Sequence, residues 1–275
     1  MALFSFHFDR PGPGVEPDAP RKKGFARFWE VLTRDLGSFY MAGLLALLSG
    51  MPYALGVAYA IMTHALLPLI AAGFLGGMLA APQLCGLNDT ILRSLRDEPG
   101  YWWNTYRRAW KQNAAAALAP GGVCGLVLAF ALFALVHLGP AAGLVELAVL
   151  LLCLVLITGL GHYIFLQIPL MDFSFGALLK NAALLFLGFL PRTGLALLFL
   201  LGYWLAVALF LPYSVFAMML TGLWLPALAS ALAVYPALDK VFSLEEKLRA
   251  MREAQLADAL DTDAAALQNG KDAQP

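Results

Sequence analysis

The sequence predicts an all-α polytopic membrane protein with six transmembrane helices, arranged as three hairpins and accompanied by interfacial amphipathic helices. Composition is the first reason. Of the 275 residues 61% are hydrophobic and 13% charged, with a mean hydropathy of +0.74, whereas a soluble domain is roughly 45–50% apolar and about 25% charged. The second is the distribution of charge: residues 36–88 and 193–238 hold no Asp, Glu, Lys or Arg, and residues 112–171 hold only Glu146. About 20 apolar residues at about 1.5 Å each cross the roughly 30 Å hydrocarbon core, so each stretch is long enough for two spans. The third is that the 18 basic residues all lie outside the turns within these stretches. Cytoplasmic segments are the ones rich in Lys and Arg, which predicts a multi-pass membrane protein with both termini and both long loops on the cytoplasmic side. The 18 acidic residues cancel the basic ones, so nothing favours a nucleic-acid partner; the lipid bilayer is the first partner expected.

Residues 1–35 read as a cytoplasmic tail and surface helix. Pro11, Pro13, Pro17 and Pro20 keep the start extended. No apolar segment precedes a small-residue cleavage site in the first 30 residues, so no cleaved signal peptide is expected and the first span directs insertion. Phe25, Phe28, Trp29, Leu32 and Leu36 recur at helical spacing beside Arg21, Lys22, Lys23 and Arg27. That pattern predicts a basic amphipathic helix with its aromatics at headgroup depth and its cations against anionic lipid.

Residues 36–238 read as the transmembrane domain. Its turns fall near 62–66, 139–143 and 211–214, where His64, Pro140, Pro212 and small residues interrupt the apolar runs. The runs are continuous and rich in Leu and Ala, unlike the alternating ten-residue segments of a membrane barrel. Gly73, Gly77 and Ala81 form a small-xxx-small row on span two, and Gly121 and Gly125 another on span three. Such rows let helices approach closely, within the bundle or in a homo-oligomer.

Between spans two and three, residues 88–112 read as a cytoplasmic loop carrying a second surface helix after Pro99-Gly100. Trp102, Trp103, Tyr106 and Trp110 recur there among Arg107, Arg108 and Lys111. Such a helix suits lipid headgroups. Because aromatics and Arg also dominate interaction hot spots, Trp102, Trp103, Tyr106, Arg107, Trp110 and Lys111 are the candidate partner-docking set. A third such element is expected at 173–189, with a weak echo of Lys111, Asn113 and Pro120 in Lys180, Asn181 and Pro191. Residues 239–275 read as a cytoplasmic helix opened by a Ser243/Glu246 capping box and reaching about Leu260, then a disordered polar tail.

The polar groups inside the spans are few. His64, His137 and Glu146 sit near the outer turns, and His162 and Gln167 lie late in span four as the candidate intramembrane polar residues. Cys85, Cys124 and Cys153 lie in apolar surroundings and read as small buried hydrophobes. There is no phosphate-binding glycine loop, H-E-x-x-H or G-x-S-x-G motif, so no catalytic, cofactor-binding or metal-binding residue is assigned and no enzyme is expected.

Four segments resemble the YesL-like family of bacterial integral membrane proteins: FDRPGPGV at 8–15 with the basic cluster after it, GLNDTILRSLRDEPGYWWNTYRRAWKQN at 86–113, LLKNAALLFLGFLPRT at 178–193 and AVYPALDKVF at 233–242. The resemblance implies a small multi-pass protein of the bacterial plasma membrane, associated with carbohydrate uptake beside ABC importer subunits. The chain lacks the EAA-type loop by which sugar permeases grip their ATPase, so the role implied is accessory or scaffolding. A stand-alone transporter or channel, and a membrane-embedded regulator of envelope signalling, are the alternatives.

Overall fold

Apolar runs that are continuous rather than alternating satisfy their backbone groups in a bilayer within helices, the closed barrel being the other structure that does so. The computed structural model describes residues 22–98, 100–139, 142–251 and 253–254. The proline-rich tail and the end of the C-terminal segment lie outside these. In chain order the helices are α1 (Gly24–Thr63), α2 (Leu66–Ala71), a π-helical turn (Ala72–Gly76), α3 (Gly77–Leu95), α4 (Trp102–Val136), α5 (Leu144–Gln167), α6 (Phe175–Gly188), α7 (Leu190–Leu209), α8 (Ser214–Thr221) and α9 (Trp224–Phe242). No strand occurs among the described residues.

Six helices are long and apolar enough to span a membrane: α1, the continuous Leu66–Leu95, α4, α5, α7 and α9. Their outer surfaces carry large apolar side chains, among them Leu144 at 85% exposure, Leu67 at 79% and Leu209 at 70%. In water such a surface would aggregate; in lipid it is the solvated face.

All three expected turns are present, at His64–Ala65, between Val136 and Leu144, and between Leu209 and Ser214. The last leads into an additional short helix, α8, before Gly222 at φ +51 redirects the chain into α9. Sequence-adjacent spans touch in each expected pair, but the most extensive helix contact is α3 with α4, which joins the first two pairs into one unit.

The two glycine-bearing rows explain that contact. A Cβ at Gly77 would meet the Gly121 carbonyl oxygen, one at Gly121 would meet Ala81, and one at Gly125 would meet the Gly73 carbonyl oxygen. The rows face each other within one chain, so backbones touch where any side chain would hold them apart. Apolar side chains gain nothing from leaving lipid, and close contact of this kind supplies the cohesion.

Element boundaries differ from the sequence reading at both aromatic-basic segments. The first is the start of the 40-residue α1, marked only by non-helical geometry at Asp35 (φ −118, ψ 16). The 88–112 loop is mostly helix as well: α3 runs to Leu95, and α4 begins at Trp102 and continues through Pro120 to Val136. Only six residues connect them. The later segment is a distinct helix, α6, because the chain breaks at Phe189 (φ −129, ψ 44) just ahead of Pro191. The echo between the two segments therefore covers different backbones.

Residues 244–251 are helical as expected, but the capping differs. Asp239 Oδ1 accepts the Glu245 N–H at 2.8 Å, while Ser243 occupies a left-handed position at φ +50. Asp239 thus provides the acceptor assigned from sequence to Ser243.

Candidate functional site at the charged end of the bundle

Helix α3 ends at Leu95 with carbonyls that lack helical partners, and its C-terminus carries the negative end of the helix dipole. Two arginines from α1 meet this need. Arg27 Nη2 donates to the Leu95 carbonyl at 2.8 Å and Arg34 Nη2 to the Ser94 carbonyl at 2.6 Å. Both also pair with Asp97, Arg27 at 2.8 Å. Asp97 sits just past the helix in the left-handed region at φ +56, where a short polar residue is among the least costly after glycine. Ser94 Oγ donates to Asp35, the residue at the irregularity of α1, so the distortion is tied to the same cluster.

Here the structure corrects the surface-helix reading. Arg27 does not face lipid: it is buried, at 6% exposure, in an ion-paired clamp between α1 and α3. Its partner lies 70 residues away in sequence, so local periodicity could not reveal it. Lys22 and Lys23 are exposed, and Arg21 lies outside the described residues.

A second set of pairs lies alongside. Arg93 Nε holds Asp89 at 2.8 Å and Arg93 Nη1 holds Glu98 at 3.1 Å, while Arg96 Nε meets Glu98 at 3.0 Å. Burial favours a neutral Asp97 carboxyl, yet the hydrogen bonds from Arg34 and Arg27 outweigh it and hold the group below the usual carboxylate range. Between these pairs opens a cleft of about 60 Å³ lined by Asp35, Ser38, Thr90, Arg93, Ser94, Glu98, Gly100, Trp102 and Thr105. Both charge signs and four hydroxyls reach it, chemistry that suits water or one small polar group. The buried Trp102 Nε1–H has no acceptor among the described residues.

The candidate docking set divides between two faces of α4. Tyr106 is buried, its ring filling the space a Cβ at Gly86 would need and its hydroxyl donating to Gln83. Trp102 packs against the same core, and Trp110 is half-buried with an enclosed Nε1. Trp103, at 45% exposure, with Arg107 and Lys111 points outward at i, i+4 and i+8. One stripe holds the helix in place and the other is presented.

His162 and Gln167 lie at the other polar locus. Gln167 is fully buried and donates from Nε2 to the Tyr163 carbonyl at 3.0 Å, but its Oε1 has no partner among the described residues. His162 is half-buried beside the Ser230 backbone of α9, with an enclosed and unpartnered Nε2. Nearby, the Tyr163 and Thr193 hydroxyls bond at 2.9 Å. The three cysteines are free thiols, Cys85 buried and Cys124 and Cys153 half-buried.

Sequence reasoning did not anticipate the clamp. Its signal is the acidic run around Asp97 and Glu98, which balances basic residues assigned to lipid. Comparison with protein-family models, with curated proteins and with solved structures finds no match to this chain.

Proposed function

We propose that the chain is a YesL-like bacterial plasma-membrane protein that acts, without catalysis of its own, as an accessory or scaffold component of ABC-type carbohydrate uptake. In this reading the charged end of the bundle faces the cytoplasm. The observation that carries the proposal is the division of α4: Trp102, Tyr106 and Trp110 secure the helix from one face, leaving Trp103, Arg107 and Lys111 exposed on another. A helix already anchored by its inner face does not need that second stripe for folding. Trp and Arg are the residues that most often carry binding energy at interfaces. The resemblance supplies the carbohydrate-uptake context and the ABC importer subunits as the partner class.

The test is Trp103→Ala combined with Arg107→Ala, set against a redesigned outer face that keeps composition and amphipathicity but scrambles the order. Truncated hot spots lose about 2 kcal/mol or more each, so the double variant is expected to keep abundance and topology while losing copurifying importer subunits. Full copurification with the scrambled face would show that the stripe serves only lipid.

A stand-alone transporter or channel is the second reading, favoured by the unpartnered Gln167 Oε1 and His162 Nε2 inside the bundle. Solute flux into liposomes holding the purified chain alone would support it over the accessory role.

A further inference from the structure

At the end of the bundle opposite the clamp, two histidines from different helices meet. His64 follows the last turn of α1 and His137 the last turn of α4, and their ring centres lie 4.4 Å apart at an interplanar angle of 66°. We propose that His64 and His137 form a surface site for one divalent transition-metal ion, with water completing its shell.

The first support is tautomer. His137 Nδ1 lies 2.8 Å from the Phe133 carbonyl oxygen. A carbonyl oxygen only accepts, so Nδ1 is the protonated nitrogen and the neutral ring keeps its lone pair on Nε2. Metal-ligating histidines are commonly oriented by this kind of bond to a backbone carbonyl, which also raises ligand basicity. The Phe133 ring, centred 4.2 Å from that of His137, supports the imidazole from a second side.

The second support is separation. Zinc binds imidazole nitrogen at about 2.0–2.1 Å, so two rings on one tetrahedral ion have centres about 5 Å apart. The observed 4.4 Å is within a small side-chain adjustment of that distance.

The third is backbone conformation. His64 occupies the left-handed region at φ 53, closing α1 with the Ala65 N–H bonded back to the Ala60 carbonyl at 3.1 Å. Glycine is the usual residue at such a helix end. The strained conformation brings an exposed imidazole, with no hydrogen bond to either ring nitrogen among the described residues, against His137. Imidazole nitrogens suit zinc, copper and nickel rather than magnesium or calcium. A bound ion would tie the α1–α2 turn to the end of α4.

The experiment titrates the purified full-length protein in detergent with Zn²⁺ by calorimetry, alongside His64→Gln, His137→Gln and the double variant. One saturable ion per chain is expected, weakened at least tenfold in each single variant and lost in the double. A readout without substitutions is protection of histidines from carbethoxylation in the unaltered protein, located by mass spectrometry: Zn²⁺ should shield His64 and His137 together. Undiminished binding in the double variant, one ion per two chains, or absence of protection at both histidines would each overturn the site.

Discussion

Gly77→Leu or Gly121→Leu is expected to prevent assembly of the bundle, whereas Gly202→Leu leaves it intact. A side chain at Gly77 is directed at the Gly121 carbonyl and one at Gly121 at Ala81, while a Cβ at Gly202 meets nothing within 4 Å. Alanine makes the contrast sharper because helix propensity alone favours it over glycine by about 1 kcal/mol. At Gly202 only that gain applies, so Gly202→Ala should be neutral or slightly stabilising. At Gly77 the new methyl group meets backbone, which does not swing aside, and overpacking costs about 1–3 kcal/mol. The sign of the effect should therefore reverse between the two sites. Unfolding in mixed detergent, with membrane abundance, measures this; equal resistance of Gly77→Ala and Gly202→Ala would show that α3 and α4 do not meet at these rows. Since the rows face each other within one chain, a homo-oligomer has to use a different surface.

Asp97→Ala should be the most damaging single change at the charged end. It removes the carboxylate shared by Arg27 and Arg34, and breaking a buried pair from one side costs about 3–5 kcal/mol. Asp97 is partly exposed, Arg27 keeps Glu30 at 3.2 Å and Arg34 keeps Asp35 at 2.9 Å, which puts the expected loss at or below the low end of that range. Arg27→Ala should cost less, because Asp97 keeps Arg34. Acid tests the same clamp. The folded carboxyl is held below its unfolded pKa, so the stabilisation is fully present above about pH 4 and is lost as pH falls through the folded value. Asp97→Asn should remove that part of the acid dependence. An unchanged acid-unfolding profile in Asp97→Asn would mean that the charge of Asp97 contributes nothing to stability.

The six apolar helices and their turns were legible because a charge in hydrocarbon costs several kcal/mol, so long charge-free runs leave few alternatives. The small-residue rows were legible for a related reason, as close backbone approach requires residues with almost no side chain. Helix continuity was not. An amphipathic period at residues 25–36 is the same whether the helix lies along the membrane or runs on into α1, and neither Gly37 nor Pro120 terminates its helix. The direction of Arg27 was hidden because a cation beside lipid and a cation beside a distant carboxylate look alike in one sequence. On α4 the spacing of four applies equally to Trp102, Tyr106 and Trp110 and to Trp103, Arg107 and Lys111. What turns the first set inward is Gly86 on the neighbouring helix, which leaves room for the Tyr106 ring. The meeting of His64 with His137 likewise depends on where two helices end.

Both the clamp and the presented face of α4 have a cytoplasmic role only if the charged end of the bundle lies inside the cell. Single cysteines at Thr63, Tyr213 and Asn104, all exposed positions, in a background with Cys85, Cys124 and Cys153 replaced, test this directly with a membrane-impermeant thiol reagent on intact cells. Thr63 and Tyr213 should label from outside, and Asn104 only after the membrane is opened. Labelling of Asn104 in intact cells, with Thr63 and Tyr213 protected, would contradict the orientation and with it the proposed docking of a cytoplasmic partner.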